Sequence, residues 1–251
     1  MNKLNLIKLA GLFLTLIFAT PVFSSELQLP GISVDINDQG SSTETATAFK
    51  LLLTLTLLSL APSLLVIVTS FTRIIIVLSM LRHALGMQQT PPNSVLISLA
   101  LLMTIFNMTP VFQEINEKVF QPYLADEISS EVAIDNSMKP LRDFMIRQTR
   151  EQDLAVVLEL NDATLPESVD DISHIHLISA FLLSELKTAF QIGFVIFLPF
   201  LLVDLVVASI LMSMGMIMVP PMMISLPLKI LMFVLIDGWV LVVQSLLSSF
   251  N

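Results

Sequence analysis

The residues able to do chemistry in this chain are few, and most of them stand alone inside apolar runs. Arg73 lies between Phe71 and Ile74-Ile75-Ile76. Glu185 and Lys187 open a long apolar run that also carries Asp204, and Lys229 and Asp237 lie inside another. A charge at bilayer depth costs about 2.5 kcal/mol or more, so each of these needs a partner or water. Glu185 and Lys187 are two positions apart, about 200° around a helix axis, and point away from each other. They read as contacts to different helices, on this chain or a neighbouring copy, or as solvated residues at the membrane interface. Asp204, Asp237 and Lys229 read as contacts between helices. Lys229 precedes Asp237 by two helical turns, too far for the two to pair along one helix. The competing chemistry is a proton relay, which would serve an ion or small-solute transporter, but relays use more aligned carboxylates and histidines than these positions offer.

Other reactive constellations are missing from the sequence. There is no cysteine, hence no disulfide, thiolate metal site or cysteine nucleophile. His174 and His176 are two apart with no third ligand in view, and His83 stands alone, so no metal set emerges. Nothing matches a nucleophile elbow, a phosphate loop or a zinc motif. The reading is a protein that is not an enzyme and uses no cofactor. A net charge of −9 argues against nucleic acid as a partner, since phosphate contacts need a basic face.

The stretch SILMSMGMIMVPPMMISLP, residues 209–227, is the other concentration of chemistry. It holds Met212, Met214, Met216, Met218, Met222 and Met223, six of 14 methionines, and no charge. Loops between membrane helices are usually polar. This one is apolar and soft, so it is either buried or lines something that opens and closes. Methionine is unbranched and repacks around varied shapes, and an apolar constriction gates by dewetting. Gly215 loosens the backbone, and Pro220 and Pro221 bound the segment. Ordinary core filling is the plainer role for such a cluster. The alternation of Met214, Met216 and Met218 places them on one face of an extended segment but on scattered faces of a helix. A lumen-facing extended loop is therefore expected.

The elements that must position these residues follow from hydropathy. Of 251 residues, 55% are hydrophobic and 13% charged, against about 25% charged in soluble domains. Several apolar runs reach the roughly 20 residues of a membrane span. Residues 1–24 read as a signal peptide, with Lys3 and Lys8 before an apolar core that Pro21 breaks. Residues 25–45 read as a mobile mature N-terminus. A first helical hairpin is expected over 46–112, where Pro62 kinks a helix or joins two, and Pro92 fits a first helical turn. Residues 113–176 read as an acidic region with short amphipathic helices. One of these starts at Pro140 and carries Asp143–Arg147 and Arg147–Glu151 pairs at i,i+4 spacing, and a loop follows at 161–171. A second hairpin covers 177–251, with the methionine segment as its turn. The fold class is all-α, an integral membrane protein with four hydrophobic helical segments. An external N-terminus puts the acidic region in the periplasm and both turns in the cytoplasm. Arg73 and Arg82 agree with this, whereas Lys139, Arg142, Arg147 and Arg150 leave the second hairpin undecided by the positive-inside rule.

Four blocks carry a resemblance: TSFTRIIIVLSMLRHALGMQQTPPNSVLISLALLMT (69–104), KPLRDFMIRQTREQDL (139–154), SELKTAFQIGFVIFLPFLLVDLVVASILMSMGMIMVPP (184–221) and ISLPLKILMFVLIDGW (224–239). Together they make most of the mature chain similar to the FliP family of type III export gates, including its relatives in virulence secretion. Leu228 departs from an aromatic expected in the family's LPFK pattern. The resemblance implies a homo-oligomer, a pentamer, assembled with FliQ and FliR, with FlhB and FlhA nearby, in the basal body of the inner membrane. It implies a pore-forming subunit that passes unfolded flagellar substrates, closed by a methionine-rich loop. Matched position by position, Met214, Met216 and Met218 fall in that loop, with Met212 beside them.

Overall fold

The structure is a computed structural model that describes residues 42–160, 171–216 and 218–250. The signal peptide, almost all of the N-terminal stretch and nearly all of the 161–171 loop lie outside the described residues. Every regular element among the described residues is a helix. The chain divides into two units, 1–57 and 58–251.

The first unit contributes the beginning of α1, Ser42–Ile67. Its apolar side chains, Phe49, Leu52 and Leu55 among them, are exposed. Thr54 and Thr56 return their hydroxyls to the carbonyls of Lys50 and Leu52 at 2.8 Å, so that they add no unmet polarity to an apolar helix.

The second unit holds the remaining helices: α2 Phe71–Ala84, α3 Asn93–Leu124, α4 Ser130–Gln148, α5 Glu151–Leu160, α6 His174–Ser213, α7 Pro221–Leu235 and α8 Gly238–Ser248. A π-helical turn at Asn116–Phe120 interrupts α3. The core forms around α2. Ile74, Val77, Leu78 and Leu81 repeat at i, i+3, i+4 and i+7 and are wholly buried, which is the inward stripe of a helix. α2 packs chiefly on α6 and then on α3. The α2–α6 approach is close because residue 193 is glycine: a Cβ there would lie 2.3 Å from the Met80 sulfur. α4 meets α6 through an edge-to-face contact of Phe144 and Phe181, 5.9 Å between centroids.

Among the described residues two helices are long and apolar enough to cross a membrane, α3 and α6, and the α7–α8 pair joins them if it counts as one span bent by 67°.

Several sequence expectations change. The first apolar run does not divide at Pro62: α1 continues through that position and the break falls between Ile67 and Phe71. There Thr69 and Ser70 turn the chain, and the Thr69 hydroxyl reaches back to Val66 O at 3.4 Å. Pro140 does not start a helix. It sits inside α4, which begins upstream at Ser130, where the Ser129 hydroxyl caps the helix by accepting the Val132 amide at 3.5 Å. Arg147 and Glu151 do not share a helix, since Thr149 is extended (φ −88°, ψ 130°) and separates α4 from α5. The last apolar run, expected as the fourth helical segment, is broken at Asp237, which is left-handed (φ 52°).

Candidate functional site: a methionine turn and its buried braces

α6 ends at Ser213 because the backbone closes on itself there. Gly215 takes φ 74° and donates its amide to Met212 O at 3.0 Å, while Met216 donates to Leu211 O at 3.0 Å. These are the two bonds of a Schellman cap, which needs a left-handed residue that glycine supplies without a Cβ penalty. The cap overturns the expected extended segment: Met214 keeps near-helical angles (φ −82°, ψ 1°), Gly215 reverses the chain, and no strand-like alternation survives from 214 to 216. Leu211, Met212, Met216, Val219 and Pro221 line a shallow apolar hollow beside the turn. Met212 and Met214 are exposed, Met216 is at the boundary, and Met218 is 97% exposed. Pro220 is the N-cap of α7 and Pro221 its first residue, where a missing amide hydrogen costs nothing.

Just behind this turn, α6 and α7 are tied. Lys229 Nζ donates to Asp204 Oδ2 at 2.6 Å and to Ala84 O at 3.2 Å. The Ser225 hydroxyl donates to Asp204 Oδ1 at 2.6 Å. Ser225 and Lys229 are one turn apart on α7 and both buried, so one carboxylate on α6 is gripped twice. The second Lys229 bond reaches a carbonyl at the C-terminal end of α2, a place where a helix leaves acceptors unmet and cations are favoured.

A second buried centre sits on Arg73. Its guanidinium forks onto Glu185, with Nε to Oε2 at 2.9 Å and Nη2 to Oε1. Nη2 also reaches Gln148 Oε1 at 2.9 Å, and Nη1 reaches Ser249 O at 2.8 Å and Ser249 Oγ at 3.1 Å. Five donors thus meet five acceptor contacts, and the Phe250 ring lies 3.9 Å from the guanidinium carbon. Arg73 is 2% exposed and Glu185 0%. Lys187 turns the other way, to Asp153 Oδ1 at 3.2 Å. Asp153 also accepts the Ser184 hydroxyl at 2.8 Å. Burial works to raise the Asp153 carboxyl, but the bonds from Ser184 and Lys187 outweigh it and hold it below the usual carboxylate range.

Of the residues singled out from sequence, Arg73 meets Glu185, Asp204 meets Lys229, and Lys187 meets a residue that had not been considered, Asp153. Asp237 is exposed at the break between α7 and α8 and makes no ion pair among the described residues. Sequence reasoning also missed Gln148, Ser225, Ser249 and Phe250. A signal was available for some of them: a lone carboxylate cannot satisfy five guanidinium donors, so a buried Arg73 demands further acceptors. Among the described residues no group of His, Cys, Asp and Glu is arranged to hold a metal.

Membrane-length apolar helices, ion pairs buried within the bundle and a charge-free methionine turn are the features of an all-helical membrane protein. The sequence comparisons give the family. Residues 54–246 match the FliP family, and the chain belongs to it. It is 51% identical over 217 residues to the flagellar biosynthetic protein FliP of Bacillus subtilis (strain 168), covering 86% of this chain and 98% of the relative. It is 49% identical over 240 residues to that of Pectobacterium carotovorum subsp. carotovorum, covering 96% and 92%, and 47% identical over 228 residues to that of Aquifex aeolicus (strain VF5), covering 89% and 93%.

Proposed function

We propose that this chain is a pore-forming subunit of the flagellar type III protein export gate, with the turn at residues 212–221 as its deformable closure. The observation that carries the reading is the exposure of Met212, Met214 and Met218 on a turn without a single charge. Exposed thioethers are costly in a lone chain and useful where several copies bring them together. A ring of such side chains excludes water and ions, then yields to an unfolded polypeptide of any sequence. Met216 lines the apolar hollow with Leu211 and, like its neighbours, is exposed, so it joins Met212, Met214 and Met218 in the closure. The gate catalyses no bond chemistry and holds no cofactor.

The subunit acts as a homo-oligomer, a pentamer, joined by FliQ and FliR, with FlhB and FlhA nearby and unfolded flagellar proteins as its passengers. It resides in the inner membrane within the basal body, with a periplasmic N-terminus after signal cleavage and the acidic 113–176 region on the same side. Asp237, exposed on an apolar surface, contacts a neighbouring subunit. A carboxylate relay is not favoured, since Glu185 and Asp204 are engaged by fixed cations on their own chain.

Replacing Met214, Met216 and Met218 together with alanine tests the closure. The expected result is a many-fold rise in ion leakage through the assembled gate and impaired flagellar export with assembly retained. Unchanged leakage and export in an assembled complex would remove the closure from the turn.

A further inference from the structure

The bend between α7 and α8 has an unusual foundation. At its corner Asp237 is left-handed, a conformation that costs energy for any residue with a Cβ. Asp237 is exposed and makes no side-chain hydrogen bond or ion pair among the described residues to offset that cost. The corner itself is tight: a Cβ at residue 238 would lie 2.3 Å from the Phe233 ring, and Phe233 meets Trp239 edge-on at 5.4 Å. A continuous helix would instead satisfy the backbone at 236–238 with ordinary angles. Something beyond the corner keeps the pair bent.

Both outer arms are anchored. On the α7 side Ser225 and Lys229 grip Asp204, and Lys229 also reaches Ala84 O. On the α8 side the chain runs into a socket made by α2, α4 and α6. Arg73 donates to Ser249 O and Oγ, the Gln148 amide donates to Phe250 O at 2.8 Å, and the Phe250 ring lies against the Arg73 guanidinium. Phe250 is 8% exposed. The socket recognises mainly backbone carbonyls and one aromatic ring, so it is a binding site for a short peptide segment, occupied by this chain's own residues 249–250.

From this we infer that the Arg73–Gln148 socket is a latch: by holding Ser249–Phe250 it keeps α7–α8 folded as a broken pair and prevents it from straightening into a single span. Arg73 stays paired with Glu185 whether or not the segment is seated, so opening the latch leaves the charge neutralised and gives only the two Nη1 donors over to water. What opening loses is three hydrogen bonds and the ring contact, and what it gains is relief of the left-handed corner.

The absence of cysteine from the chain makes the test direct. Spin labels are placed at Met223→Cys and Ser245→Cys, one on each arm, both exposed. Labelled copies are diluted with unlabelled ones in the assembled complex. With arms of about 20 and 12 Å from the helical rise, a straight pair separates the labelled backbone positions by about 32 Å. The 67° bend shortens this by about 5 Å. Combining Phe250→Ala with Gln148→Met is expected to lengthen the mean distance by about 5 Å or to add a second population there. Adding Asp237→Gly, which removes the cost of the corner, is expected to restore part of the short population. An unchanged distance distribution in the assembled double variant would overturn the latch. Should the double variant not assemble, Phe250→Leu, which removes the ring, and Gln148→Met, which removes the bond to Phe250 O, are measured separately: lengthening or broadening in either supports the latch, and an unchanged distribution in both overturns it.

Discussion

Two turns of the second unit, one after α2 and one after α6, end their helices in the same way and then diverge. After α2, Gly86 is left-handed (φ 79°), its amide meets His83 O at 2.9 Å, and Met87 meets Arg82 O at 3.2 Å. After α6, Gly215 and Met216 repeat that pattern bond for bond. Yet the first turn is held from several directions. Arg82 reaches Pro91 O at 3.2 Å and Asn93 Oδ1 at 2.7 Å, Lys229 reaches Ala84 O, and a Cβ at Gly86 would meet Leu226 at 3.8 Å. A Cβ on Gly215 in the second turn would meet nothing within 4 Å among the described residues. The same backbone chemistry therefore gives one braced corner and one open one, and the difference lies in the side-chain bonds that hold the first. A turn meant to yield is one that its neighbours leave alone.

That contrast can be broken at its supports. The largest effect is expected from Arg73→Met, which leaves Glu185 buried without its cation. Removing one partner of a buried pair costs about 3–5 kcal/mol. The measurement is recovery of folded, assembled protein by detergent-resistant oligomer yield, with Arg73→Met combined with Glu185→Leu recovering more than either single change. If Arg73→Met alone assembles as well as the parent, the rigid frame behind the turns does not depend on this pair.

The two glycines sharpen the comparison directly. A Cβ at a left-handed position costs about 1–2 kcal/mol. Gly86→Ala should show that loss in thermal unfolding, because its braced turn cannot readjust. Gly215→Ala should lose less than about 0.5 kcal/mol, within the range of ordinary surface changes, because the free turn can shift and relieve the strain. Equal losses would erase the distinction between the corners.

The smallest effect concerns the clasp between α5 and α6, away from both turns. Asp153 is held below its ordinary range. Its stabilising contribution is therefore full above the unfolded value near 3.9 and fades as pH falls through the lower folded value. The hydrogen-exchange protection of α5, taken relative to the intrinsic exchange rate at each pH, should fall on acidification below about pH 4, and Asp153→Asn should flatten that response. Protection in α5 that ignores pH over this range would show that the carboxylate does not hold the helix.

Composition made the class of fold legible, because long charge-poor runs have few other destinations. Gly215, Pro220 and Pro221 were legible as a boundary for the same reason: their backbone limits are local. The partners of the charges were not. Lys187 finds Asp153 and Lys229 finds Asp204 through packing between helices distant in sequence, which no periodicity encodes. Pro140 misled because proline at a helix start and proline within a helix look alike until the cap at Ser129 is seen. Asp237 misled for a different reason. It lies in an apolar run where the Asp237-Gly238 pair is easily passed over as a turn signal, and the bonds that anchor the two arms come from other helices.

Helix α6 carries one further consequence. Its 40 residues extend about 60 Å, twice the roughly 30 Å hydrocarbon layer, and only 17% of its most apolar window is buried. Upright in a bilayer, it would carry greasy surface into water at one end or both. The helix therefore needs apolar neighbours over the part that outruns the bilayer, so its length asks for cover that the lipid alone does not supply.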